Sequence, residues 1–229
     1  MTRLDRRRQG IAIALSALAG YVDAIAFIAS GGYFVSFMSG NSTRLGVALA
    51  GGEIVGIVSL LIAAFVGGVI VASLAGGNSS RGGRKRVMLL VAGLLVAAAG
   101  SAGFVSVPVT LALAAAAMGA ENGVFADGGD ALGLTYMTGA LVKIGQRLAS
   151  AMTGGPRLAW LPYALLWAGL IAGGIAGGLA HAGLGLHALW PAALVALLLA
   201  PFVGRGEAVA DSPPSVTDPC PSPTRQPGL

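Results

Sequence analysis

The chain has 229 residues, 55% of them hydrophobic and only 10% charged, with a net charge of +5. Globular domains carry about 25% charged residues, so an ordinary soluble domain is excluded, and apolar runs of about 20 residues point to a polytopic helical membrane protein. The basic residues sit at the ends of those runs, which excludes a nucleic-acid surface and follows the positive-inside rule; a single cysteine, Cys220, excludes an intrachain disulfide framework.

Arg3, Arg6, Arg7 and Arg8 precede an apolar run over 10–29. The run is long enough to span and precedes no polar mature domain, so it reads as a first membrane span rather than a signal peptide. The stretch 31–51 holds a segment from Met38 to Ala50 that is about 20 Å long as a helix. That is too short for a hydrocarbon core of roughly 30 Å, and Gly51-Gly52 breaks it. It is expected to be a re-entrant loop and short helix, or half of a broken helix. A second span covers 54–75, and a basic loop over 76–86 carries Arg81, Arg84, Lys85 and Arg86. A third span covers 87–105. Pro108 turns the chain into a fourth, which runs to about residue 125, where Asp127-Gly128-Gly129-Asp130 interrupts it. Spans five and six cover 158–180 and 187–203. The tail from Gly204 is rich in Pro and Ser and is expected to be disordered.

The short segment occurs twice. Residues 36–50 align without a gap on 135–149, an offset of 99, with Met, Gly, Gly, Leu and Ala identical. Ser36/Thr135, Phe37/Tyr136, Ser39/Thr138, Arg44/Lys143 and Leu45/Ile144 are close exchanges, and the alignment extends back to Gly20/Gly119 and Asp23/Asn122. Three spans in each half reverse the second half, the inverted repeat of many transporters. If the motif helix spanned fully, the repeat would be parallel. The expected organisation is a basic cytoplasmic N-terminus (1–9), two membrane repeats (10–105 and 106–204) and a cytoplasmic tail (205–229). The fold class is all-α: six transmembrane helices plus two short re-entrant or broken ones, as an inverted 3+3 repeat.

Ser39 and Thr138 are suited to cap a helix start, and Gly40 and Gly139 admit a backbone or a solute at close range. Two such starts facing each other near the midplane would offer free N–H donors to a small polar or anionic group. Ser39, Gly40, Asn41, Thr138 and Gly139 are therefore the candidate substrate-binding residues. The bland alternative is close helix packing. Asp23, deep in the first span, and Glu121 beside Asn122 in the fourth are costly in a bilayer without a partner or a water cavity. They are candidate coupling or gating groups that bind a proton or cation, or pair with Arg44 or Lys143. Those two bases lie three residues beyond Asn41 and Ala140, on the same helix face, where they hold an anionic solute, neutralise the acids or snorkel to headgroups. His181 and His187 lack a third ligand nearby in sequence, so no metal site is expected. With no nucleophile elbow, P-loop or dinucleotide fingerprint, neither an enzyme nor a cofactor is expected.

Gly20-Tyr21-Val22-Asp23-Ala24, Phe34 with Ser36-Phe37-Met38-Ser39-Gly40-Asn41, and Arg44-Leu45-Gly46 resemble the YoaK-like family of small bacterial multipass membrane proteins. So do Gly119-Ala120-Glu121-Asn122-Gly123, Leu134-Thr135-Tyr136-Met137-Thr138-Gly139 and Leu141-Val142-Lys143. The resemblance covers about 10–204. Ser39 replaces the usual Thr, and Glu121 the usual Gln. It implies a bacterial inner-membrane location and no assigned substrate. The leading expectation is a transporter or channel for a small solute, with the lipid bilayer as its surroundings and both termini cytoplasmic. A non-transport scaffold is the alternative. Glycine-rich faces leave packing within one chain or in a homo-oligomer open.

Overall fold

The computed structural model describes residues 6–76, 81–125 and 137–203. Every regular element among them is helical. The order is α1 (Arg6–Ser30), α2 (Met38–Gly51), α3 (Gly56–Gly76), α4 (Arg81–Ser101), α5 (Val107–Glu121), α6 (Met137–Met152), α7 (Leu161–Leu184) and α8 (Leu189–Val203). A 3₁₀ turn over Asn122–Phe125 extends α5, and another over Gly185–Ala188 joins α7 to α8.

The boundaries have local causes. Gly52 takes a left-handed conformation (φ 69°, ψ 23°) and its N–H reaches the last carbonyls of α2, the usual glycine ending of a helix. Pro108 sits in the first turn of α5 and Pro162 in that of α7, where a missing N–H costs nothing. Arginine and lysine are good helix formers, so the basic stretches in the first turns of α1 and α4 are helical. The expected basic loop is thereby corrected: Arg84, Lys85 and Arg86 lie in the first turns of α4, and Arg86 donates to the Gly82 and Ala75 carbonyls. The helix expected over 158–180 also shifts, to Leu161–Leu184. The Asp127 to Asp130 break, Thr135, Tyr136 and the tail with Cys220 lie outside the described residues.

Four helical stretches are long and apolar enough to cross a membrane: Arg6–Ser30, Gly56–Gly76, Val107–Val124 and Leu161–Val203. The last comprises α7 and α8. The chain reverses between them, because Val195 of α8 lines the same cleft as Ala172 of α7 and Ala14 of α1. Large apolar side chains face outward, among them Leu74, Ile175, Leu179 and Leu198. In water such a surface would aggregate; in lipid it is the required exterior, and the helices satisfy their own backbone groups.

Helix α1 packs chiefly on α7 and α3 on α5, while α4 lies against both α5 and α8. The short helices are peripheral, α2 on α3 and α6 on α7. The tight pairs are built on glycine. A Cβ on Gly20 would be driven into the Leu170 carbonyl oxygen, and one on Gly173 into that of Ala17. In the other pair, a Cβ on Gly119 would strike the Phe65 carbonyl and one on Gly68 that of Ala116. Association in lipid lacks a hydrophobic drive and depends on this close approach.

Candidate functional site

Asp23 is seven residues before the end of α1, about 10 Å along the helix axis. After Ser30 the chain does not leave α1. Gly32, at φ 121°, a value that favours glycine, donates to the Phe27 carbonyl at 2.8 Å. The Tyr33 N–H donates to Ser30 Oγ at 2.9 Å. The segment 31–37 then runs back along α1 until the N–H groups of Val35 and Ser36 donate to Asp23 Oδ1, at 2.8 and 2.7 Å. The Ser36 hydroxyl donates to Asp23 Oδ2 in a short bond. Only then does α2 begin. The carboxylate thus collects three donors at the turn of a folded-back segment, which answers the cost of placing it there.

Asn41 closes the segment from the other side. It is fully buried. Its amide donates to the Phe34 carbonyl at 2.6 Å and accepts the Phe34 N–H at 3.0 Å, as a neighbouring strand would. The amide is committed to its own chain rather than directed at a solute. Gly40 serves the same closure: the rings of Phe37 and Phe34 pack where its Cβ would be, and Phe27, Phe34 and Phe37 form a ring stack with centroid distances of 5.0 and 5.2 Å. The expected close approach at Gly40 is therefore made by aromatic rings.

Two further expectations are corrected. Ser39 does not cap α2, because Phe37 holds the N-cap position with no side-chain bond and Ser39 is already one turn-forming residue inside the helix, exposed. Thr138 is likewise inside α6 and exposed. Arg44 does not pair with Asp23. Its guanidinium lies against Gly32 and over the Tyr33 ring, 4.8 Å from the centroid, a cation–π distance. The carboxylate was already satisfied by backbone donors, so the cation was left to cover the outside of the loop.

The second motif copy reaches α1 at a different level. Met137, the first residue of α6, approaches the Ser16 hydroxyl through its sulfur at 3.9 Å, and that hydroxyl donates to the Leu166 carbonyl at 2.9 Å. Ala140 is buried, Gly139 partly buried and Lys143 exposed, the same exposures as Asn41, Gly40 and Arg44. Asn122 donates to the Met118 carbonyl at 2.9 Å. Glu121, the last residue of α5, is 0% exposed, and both carboxyl oxygens lack a hydrogen-bond partner among the described residues. The Asp23 carboxylate is within electrostatic reach of it.

Ser36 is the site residue that the sequence reasoning passed over. Its signal in the sequence is the pair of hydroxyls Ser36/Thr135, three residues before the hydroxyl beside the glycine. His181 lies in the last turn of α7 and His187 in the following 3₁₀ turn. An apolar cleft of about 320 Å³ between α1, α7 and α8 is lined by Ala14, Tyr21, Gly173 and Val195, and it includes neither acid.

Residues 11–201 match the family model described as a protein of unknown function, DUF1275. The chain is 36% identical over 206 residues to the UPF0700 transmembrane protein RA0705 of Rhizobium meliloti (strain 1021), covering 86% of this chain and 88% of that protein. No solved structure matches. The chain belongs to the DUF1275 family, membrane proteins of unassigned function, as the motif resemblance implied.

Proposed function

We propose that this member of the family is a transporter or channel for a small polar or anionic solute, built from six spans as an inverted 3+3 repeat, with its path between the starts of α2 and α6. The observation that carries the reading is the segment 31–37, folded back about 10 Å into the protein and fastened to Asp23. Irregular backbone at membrane depth is tolerated where it is buried in protein or lines a cavity, and discontinuous helices of this kind form solute sites in transporters.

Three features support the repeat. Gly20 and Gly119 are 99 residues apart and face the carbonyls of Leu170 and Phe65, which are 105 apart. Gly173 and Gly68 are 105 apart and face Ala17 and Ala116, again 99 apart. Exchanging the halves therefore turns one tight helix pair into the other. The two motif starts meet α1 at Asp23 and at Ser16, either side of the middle of Arg6–Ser30. A parallel repeat would bring both in from the same end. The glycines of the tight pairs are used within the chain, which favours transport over a scaffold that offers small-residue faces to other helices.

The same reading places the protein in the bacterial inner membrane with both termini cytoplasmic, because that puts the basic turns of α1 and α4 inside. It assigns no chemical step to the chain. The test is a thermal-stability screen in detergent against inorganic anions, carboxylates, amino acids and nucleobases, followed by flux into liposomes for any solute that stabilises. A ligand at a hundred times its Kd adds about 2.7 kcal/mol. A solute that stabilises the wild type, not Asp23→Ala, and crosses only protein-containing liposomes supports transport. Stability that depends instead on a co-purifying protein, with no flux for any solute, favours the scaffold.

A further inference from the structure

The two buried acids are not equivalent. Asp23 has three donors; Glu121 has none among the described residues, with its side chain 0% exposed. Glu121 also ends an α-helix, where the last carbonyls add partial negative charge and a cation is favoured over an anion. No described residue donates a hydrogen bond to it. Helix α3 has no charged residue over Gly56–Gly76, and neither does the 3₁₀ turn Asn122–Phe125. On α1 the nearby titratable groups are Asp23 itself and Tyr21, whose hydroxyl donates to the Ala188 carbonyl at 2.9 Å; Arg6, Arg7 and Arg8 stand at the far end of that helix. On α4, Lys85 and Arg86 are exposed, Arg86 bonds backbone carbonyls, Arg84 has an interaction of its own and Arg81 lies in the first turn.

We infer that Glu121 is the seat of one exchangeable monovalent cation, a proton or an alkali-metal ion, whose binding lets α5 close against α3 and α1. An unpaired carboxylate in a membrane interior must be matched by a charge or by water, and the Glu121 side chain is 0% exposed. The occupant enters as the helices close and leaves as water reaches the carboxyl. This deepens the transport reading and rests on it for the use of that cation in moving a solute; the binding itself does not depend on flux.

The experiment measures the unfolding midpoint of the detergent-purified full chain from acid to alkaline pH. Buffers contain only a bulky organic cation, or added lithium, sodium or potassium, and wild type is compared with Glu121→Gln and Asp23→Asn. Infrared difference spectra read the carbonyl stretch of a protonated carboxyl. The wild type should lose several degrees of midpoint at alkaline pH in the organic-cation buffer. A carboxyl band that disappears in Glu121→Gln identifies the occupant as a proton. Rescue at alkaline pH by one alkali ion, without that band, identifies the ion. Glu121→Gln, a neutral amide of the same shape, should hold a flat midpoint across the series, while Asp23→Asn keeps the dependence. A wild-type midpoint indifferent to pH and cation overturns the inference, as does an equal dependence in Glu121→Gln. Solute flux that ignores both variables would remove the coupling role and leave the transport reading standing; cation binding with no flux for any solute would do the reverse.

Discussion

Replacing Asp23 by alanine tests whether the segment 31–37 is fastened or merely rests on α1. The carboxylate receives the N–H groups of Val35 and Ser36 and the Ser36 hydroxyl. Val35 is 0% and Ser36 4% exposed, so the donors cannot turn to water without the segment moving. Each orphaned buried donor costs about 1–3 kcal/mol, and three of them cost at least about 3 kcal/mol. At roughly 1.4 kcal/mol per tenfold change, amide protection over 33–37 should fall about a hundredfold in Asp23→Ala. Asparagine keeps an oxygen for the two N–H groups, and Ser36 can reverse its hydroxyl to accept. Asp23→Asn loses only the charge assistance, about half the strength of each bond, and should fall between. Hydrogen exchange read by mass spectrometry on the 31–38 peptide gives the order directly. Equal protection in Asp23→Ala and wild type would refute the fastening, whatever happens to overall stability.

Three other outcomes follow from the same geometry. Gly119→Leu and Gly173→Leu should each lower the unfolding midpoint by more than the usual 1–3 kcal/mol of overpacking, since the obstacle is a backbone carbonyl; Gly46→Ala and Gly145→Ala, which meet open space, should gain about 0.5–1 kcal/mol. Asn41→Leu should cost about 2 kcal/mol or more by orphaning the Phe34 amide, visible as faster exchange over 31–37 with little change in α4. In a Cys220→Ser background, a membrane-impermeant maleimide should reach Glu53→Cys and Thr153→Cys from opposite sides of the bilayer, and labelling of both from one side would exclude the inverted repeat.

Much of the architecture was legible because the signals were long. Runs of about 20 apolar residues announced the helices, and Gly51-Gly52 and Pro108 marked ends that the structure keeps. The short helix Met38–Gly51 was readable from its length between breakers. The basic residues misled at α4, where charge suggested a loop although arginine and lysine continue a helix readily. The site was less legible, because partnership is a matter of depth rather than spacing. Ser39 has the residue type of a cap, but the chain reaches Asp23 three residues earlier and the helix is already under way. Arg44 and Asp23 have opposite charges, yet two backbone N–H groups arrive first. That Asn41 would hold Phe34 seven residues back had no sequence signal beyond the absence of a polar mate at Ala140.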